Sequence, residues 1–275
     1  MNKPKVVIVC GPTATGKSDY AVELAKKING EIISADSRQV YKGMDIGSGK
    51  ITKAEMKRIP HYLLDVADPK RVFSVARYKK LAQKAIKDII KRGKTPIICG
   101  GTGYYINAAV FDQSIPEVKP NTKLRKELAK CSLSDLQKKL QKLDPERYES
   151  IDIHNPVRLV RAIEIATELG SVPPLTMSSP YDIEWIYLDF PQDVLKERIH
   201  TRLMKRMKIG MVKEIEQLHA QGVSWKRLES FGLEYRYIAQ YLQKKLTKEE
   251  MLEMLYSEIV KFAKRQRTWF KKWVK

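Results

Sequence analysis

Short unbroken apolar runs alternate along the chain with longer stretches in which apolar positions recur every three or four residues. Lys5–Cys10 is the first run, with Val6, Val7, Ile8 and Val9 in succession before Gly11-Pro12. An unbroken β-branched run closed by turn residues suits a strand buried on both faces of a parallel sheet. Glu31–Ala35, Thr95–Cys99 and Trp185–Phe190 repeat the pattern. Between them, Tyr20, Ala21, Leu24, Ala25 and Ile28 predict a helix over Ser18–Ile28. Leu81, Ala85, Ile86 and Ile89 predict another over Tyr78–Lys91. Strand, helix and strand in this rhythm predict a doubly wound α/β core.

The rhythm lapses between Asp112 and Pro180. Pro116 and Pro120 break the chain, helical patterns follow at Thr122–Lys130, Ser132–Leu143 and Pro156–Leu169, and Pro173-Pro174 closes the stretch. With no strand-like run there, residues 112–180 read as a helical insertion domain within a core of residues 1–111 and 181–275. After Pro191 the pattern is almost wholly helical, with a break around Gly222. There is no internal repeat and no low-complexity tract.

Charge adds a functional constraint. Fifty-two Lys and Arg against thirty-two Asp and Glu give a net charge of +20. An excess of that size repels itself, and a polyanionic partner is the usual reason to keep it, although a solvated lysine surface is the plainer one. The opening apolar run is too short for a membrane helix or a signal segment. Cys10, Cys99 and Cys131 show no paired spacing, which fits a reduced, cytoplasmic protein outside any membrane. The four histidines are too scattered to suggest a metal site.

The sharpest motif is Gly11-Pro12-Thr13-Ala14-Thr15-Gly16-Lys17-Ser18. It matches G-x-x-x-x-G-K-[ST] and lies between a strand and a helix, as a phosphate-binding P-loop must. Its backbone N–H groups would cradle the phosphates of a nucleotide such as ATP or of another diphosphate, with Lys17 on the terminal phosphate and the Ser18 hydroxyl on Mg2+. The core is therefore expected to be P-loop NTPase-like. The second strand leads into Asp36, where a carboxylate would face the phosphate cleft or simply cap a turn. The Gly100-Gly101-Thr102-Gly103 turn follows the next strand. Arg198 and Arg202, four apart on a helix, share a face suited either to phosphate or to solvent. Leu252, Leu255, Ile259, Phe262, Gln266, Trp269 and Trp273 form a helical stripe, which favours core packing over base stacking. The tail carries Lys261, Lys264, Arg265, Arg267, Lys271, Lys272 and Lys275 without an acid.

Taken in order, these segments resemble the bacterial tRNA dimethylallyltransferase (IPP transferase) family. The resemblance rests on the P-loop, on Ala35–Gly47 with its Asp36-Ser37-Arg38-Gln39-Val40-Tyr41, on Pro60–Asp65, and on Gly100–Tyr105. It continues through Asn155–Glu164 and Ala263–Phe270, so it covers essentially the whole chain. It implies transfer of a dimethylallyl group from dimethylallyl diphosphate to the exocyclic amine of adenosine 37 in tRNA, releasing diphosphate. It further implies that Asp36 is the general base, that Thr102 bonds within the reaction centre, and that Mg2+ assists. Asp36, Ser37, Arg38, Gln39, Thr102, Arg125, Val157, Arg158, Leu159, Val160 and Arg161 would contact tRNA at its anticodon stem-loop. The chain departs from the family pattern at Arg38, Ser48-Gly49, Phe231-Gly232-Leu233 and Ile259-Val260. A monomer is expected because no spare amphipathic face stands out.

Three other classes share parts of this pattern. A small-molecule P-loop kinase needs neither the insert nor the basic tail. An adenylate prenyltransferase dispenses with tRNA-contacting segments, and an RNA-binding ATPase needs a water-activating group that is not evident.

Overall fold

A computed structural model describes residues 3–112, 116, 118–174 and 178–273. Five parallel strands build one sheet: β1 (Lys5–Cys10), β2 (Gly30–Ser34), β3 (His61–Tyr62), β4 (Thr95–Gly100) and β5 (Asp182–Tyr187), in the order β3-β2-β4-β1-β5. Three helices thread its first half: α1 (Lys17–Lys27), α2 (Val75–Lys91) and α3 (Gly103–Val110). Alternate residues of the central strands feed two cores. Val6, Ile8, Cys10, Ile33 and Ile98 belong to one face, and Val7, Val9, Ile32, Ile97 and Cys99 to the other. That explains why the strands read as continuous apolar runs. The second face is covered by Ala21, Val22 and Ala25 of α1. Burial on opposite faces also separates the Cys10 and Cys99 thiols, and it pushes each up to about 12.

Two features of the sheet differ from expectation. The last strand spans Asp182–Tyr187 rather than Trp185–Phe190, because its ladder follows β1 from Lys5↔Asp182 to Cys10↔Tyr187. Where β1 ends, the Leu188 N–H closes on the Cys10 carbonyl at 2.9 Å and the chain leaves the sheet. The two-residue β3 had no periodicity to reveal it.

Contacts divide the chain into two compact units, Met1–Phe111 with Ser179–Lys275, and Asp112–Ser178. The second contains α4 (Thr122–Leu128), α5 (Leu133–Leu143), α6 (Pro145–Ser150) and α7 (Pro156–Leu169) around Leu128, Leu136, Leu140, Leu159 and Ile163. Ser132 starts α5 through a reciprocal capping box with Asp135, and Asn155 caps α7 ahead of Pro156. The first unit ends in five helices: α8 (Gln192–Lys208), α9 (Met211–Ala220), α10 (Trp225–Ser230), α11 (Leu233–Leu242) and α12 (Lys248–Phe270). Sequence periodicity suggested one break here, near Gly222. The chain also turns at Gly210, whose φ of 106° stops α8 before α9 begins, and again at Gly232 and around Lys244. None of the helices among the described residues is long and apolar enough to cross a membrane.

Candidate active site

Parallel strands present their C-terminal ends on one edge, and there β1, β2 and β4 release three loops. The first is the P-loop. Ala14 within it takes a left-handed φ of 66°, and Gly16 precedes α1. Lys17 Nζ donates to the Pro12 carbonyl at 2.6 Å, so the ammonium lies inside the loop's own curve. Arg198 Nε donates to the Ala14 carbonyl at 2.8 Å, and Arg202 Nη2 donates to Thr13 Oγ1. Arg198 and Arg202 thus both reach the phosphate loop, Arg202 from a half-buried position and Arg198 from the exposed rim.

Lys17 and Arg202 are held at an electrostatic cost. Both side chains keep some surface, but their charged ends are desolvated. Burial pulls the Lys17 ammonium down to about 8, with Arg202 adding to the effect. Burial and then Arg206 pull the Arg202 guanidinium below the ordinary arginine range. The Asp36 charge acts in the opposite sense on both, which places it within electrostatic reach of the loop. Arg206 extends the same helical face by one turn, reaching the Gly47 carbonyl at 3.4 Å and Glu234 at 3.5 Å. Sequence reading missed it, although the spacing of four from Arg202 was available.

Asp36 follows β2. Its Oδ1 accepts from the Arg38 N–H at 2.8 Å and the Gln39 N–H at 3.3 Å, a turn that the carboxylate itself closes. Thr102 follows β4, and its Oγ1 accepts from the Ser37 N–H at 3.2 Å while its own N–H donates to the Ala35 carbonyl at 3.1 Å. The ends of β2 and β4 are therefore tied together at the two candidate reaction-centre residues.

The other predicted contact residues of this loop look inward or sideways. Gln39 spans from Ser34 Oγ (3.0 Å) to the Gly49 carbonyl (3.1 Å). Arg38 Nε donates to the Phe231 carbonyl at 2.9 Å, and its guanidinium lies over the Phe262 ring. Two departures from the family pattern, Arg38 and Phe231, thus meet in space. The loop after Tyr41 is gripped by Glu214 of α9, which accepts from the N–H groups of Asp45, Ile46 and Gly47 at 2.6–3.0 Å and from the Tyr235 hydroxyl at 3.1 Å.

Helix α12 completes the edge. Leu255 and Ile259 of the apolar stripe pack in the core, as expected, but Gln266 and Trp269 do something else. Gln266 Oε1 accepts from the Thr13 N–H at 2.8 Å, and its Nε2 donates to the Gly101 carbonyl at 2.9 Å. A Cβ on Gly101 would sit 2.2 Å from that Nε2, and one on Gly103 would sit 1.9 Å from the Trp269 indole nitrogen. A side chain at Gly103 would displace the Trp269 ring, and one at Gly101 would push the Gln266 amide from its place. In the tail, Lys271 and Lys272 are exposed and Lys275 lies outside the described residues.

A magnesium site can be judged from the donors present. Among the described residues no group of three His, Cys, Asp or Glu side chains is placed to hold a metal. Ser18, the second residue of α1, offers a hydroxyl beside Lys17. That suits Mg2+ held mainly by phosphate oxygens and water.

The insertion unit holds the remaining predicted residues. Arg125 makes two bonds of 2.7 Å to Glu164, whose side chain is fully buried, and Arg161 reaches Glu164 at 3.3 Å and the Val118 carbonyl at 2.9 Å. Arg158 makes only a loose pair with Asp152 at 3.5 Å. Val157 is exposed and Val160 half-buried. Leu159 is fully buried in the unit's core, so its side chain packs and does not face a ligand.

Comparison with known proteins agrees with this layout. The profile of the IPP transferase family matches residues 39–273. A tRNA dimethylallyltransferase of Treponema denticola is 46% identical over 98% of this chain and 93% of its own length. One from Geotalea uraniireducens is 42% identical over 97% of this chain and 88% of its own. Among solved structures, a tRNA isopentenylpyrophosphate transferase of Bacillus halodurans superposes with a TM-score of 0.74 at 37% identity, covering 98% of this chain and 87% of that one. A eukaryotic dimethylallyltransferase captured acting on tRNA gives a TM-score of 0.82 at 27% identity, over 97% and 70% of the two chains.

Proposed function

The chain belongs to the IPP transferase family and transfers a dimethylallyl group to adenosine of tRNA; we propose how its own residues do so. The observation that carries the reading is the pair of desolvated cations, Lys17 within the P-loop and Arg202 of α8 bonded to it, at a sheet edge shared with Asp36 and Thr102. Buried cations without an anion are costly, and a bound diphosphate relieves that cost. The donor is dimethylallyl diphosphate, held by the backbone N–H groups of the P-loop with Lys17, Arg198 and Arg202. When the C1–O bond breaks, the bonding electrons leave with the diphosphate, and these cations stabilise the charge that develops there. Mg2+, with Ser18 as its protein ligand, would add to that neutralisation.

The nucleophile is the exocyclic amine of adenosine 37, which must leave its loop stack to enter the cleft. Its nitrogen forms the new bond to C1, and Asp36 takes the proton that the amine loses. General-base assistance of this kind contributes about 10²–10⁴-fold. The Asp36 oxygen that would accept the proton is Oδ2, because Oδ1 already closes the turn. Thr102, bonded to the Ser37 N–H, supports the same loop and offers its hydroxyl proton to the reaction centre.

The anticodon stem-loop is the part of tRNA recognised, with Arg158 and the exposed lysines of the tail as phosphate contacts. We read the enzyme as a cytoplasmic monomer. Radiolabelled dimethylallyl diphosphate incubated with bulk unmodified tRNA, and separately with AMP, tests the reading. Label is expected in tRNA alone. Label in AMP and not in tRNA would make the enzyme an adenylate prenyltransferase.

A further inference from the structure

The buried face of α12 is formed by Met251, Leu255, Ile259, Ala263, Gln266 and Phe270. Gln266 is its single amide and is 6% exposed. A polar side chain is retained in such a place only when its donors and acceptors are met, and both ends of this one are met by backbone far away in sequence. Oε1 holds the Thr13 N–H of the P-loop and Nε2 holds the Gly101 carbonyl, at 2.8 and 2.9 Å.

Those two loops begin side by side, since Cys10 and Gly100 are partners in the β1–β4 ladder. Beyond the strand ends the ladder no longer fixes their spacing, because one loop turns into α1 and the other into α3. The Gln266 amide spans the gap, and the missing Cβ of Gly101 lets it come close. In the reading above, one loop holds the leaving group and the other carries Thr102, which bonds Ser37 beside Asp36. We propose that Gln266 is a positioning residue for prenyl transfer, a strut that sets the separation between the diphosphate clamp and Thr102 with its bonded Asp36 loop. It touches neither substrate. The proposal rests on the site reading given above, and displacement at carbon is sensitive enough to feel it, because a misplacement of about 1 Å can cost on the order of 10²-fold in rate.

The test uses the full-length enzyme and measures three quantities for each variant: the single-turnover prenylation rate with both substrates saturating, the separate dissociation constants for dimethylallyl diphosphate and tRNA, and the melting temperature. Gln266→Met keeps the length and removes both bonds. Gln266→Asn keeps the amide but cannot span the gap, and it serves where the Met variant folds poorly. We expect the single-turnover rate to fall by about tenfold to a hundredfold with both dissociation constants within about twofold of wild type. The effect should shrink to less than about threefold in a Thr102→Ala background, since the strut acts through that loop. A wild-type rate, a loss explained entirely by weaker substrate binding, or full additivity with Thr102→Ala would overturn the proposal. Thr102→Ala alone separates the two levels: if it leaves the rate unchanged, the site reading itself fails and the coupling fails with it.

Discussion

The hydroxyl oxygen of Thr102 accepts the backbone N–H of Ser37 at 3.2 Å, joining the loop after β4 to the loop after β2. Because the oxygen is held as an acceptor, its proton remains to be donated toward the cleft. Thr102→Ala should lower the single-turnover rate about tenfold, the scale of one lost hydrogen bond in the transition state. Thr102→Ser should recover most of it. Equal rates for the Ala and Ser variants would mean that the methyl group, not the hydroxyl, matters at this position.

Lys17 gives the site a pH signature. Burial, with help from Arg202, holds its ammonium at about 8, below the ordinary lysine value of 10.5. The free enzyme therefore loses this cation as pH rises through about 8, and affinity for dimethylallyl diphosphate should fall across that range. The stability linkage runs the other way. Between about 8 and 10.5 the unfolded chain binds a proton at Lys17 that the folded chain does not, so this group's contribution to stability rises with pH there. Titration of diphosphate affinity from pH 7 to 9 on wild type and Lys17→Met checks the sign. The variant should bind more weakly and show a flatter profile.

Glu214 is a structural clamp. Its carboxylate, 9% exposed, satisfies three consecutive backbone N–H groups and the Tyr235 hydroxyl. Glu214→Gln turns an N–H₂ group toward donors and should destabilise the fold by about 2–3 kcal/mol. Chemical denaturation measures that loss. Prenyl transfer per folded molecule should change less than in the Thr102→Ala variant.

Two arginines of the insertion unit should behave in opposite ways. Arg125 neutralises a fully buried carboxylate: burial pushes Glu164 up, but Arg125, the Asn121 N–H and Arg161 outweigh it and hold it below the usual range. Arg125→Ala should therefore cost about 1–3 kcal/mol of stability, moderated because Arg125 is itself half-exposed. Arg158 is more than half exposed and only loosely paired with Asp152. Arg158→Ala should leave stability unchanged, weaken tRNA binding, and make the slope of log affinity against log salt shallower by roughly 0.7–0.9. Salt titrations beside thermal melts distinguish the two.

What could be read from the sequence was what local pattern encodes. The buried strands, the P-loop between strand and helix, the helical insert and the shared face of Arg198 and Arg202 all follow from spacings of a few residues. Residues that act over long separations gave no such signal. Gln266 lies 253 residues from Thr13, and Glu214 lies more than 160 from the loop it grips. In a helical stripe Gln266 looks like an interruption of an apolar face, and only the fold turns it into a bridge. The insert shows the converse case. Leu159 falls within a contact motif between two arginines, yet helical geometry turns it into the unit's core.

Asp36→Asn addresses the central chemistry most directly. The amide still offers an oxygen to the Arg38 and Gln39 N–H groups, so the turn and both substrate sites should survive. Single-turnover prenylation of an unmodified anticodon stem-loop, with dimethylallyl diphosphate and RNA affinities measured on the same preparation, should show a loss of about 10²–10⁴-fold in rate and nearly unchanged binding. A rate near wild type would contradict Asp36 as the base.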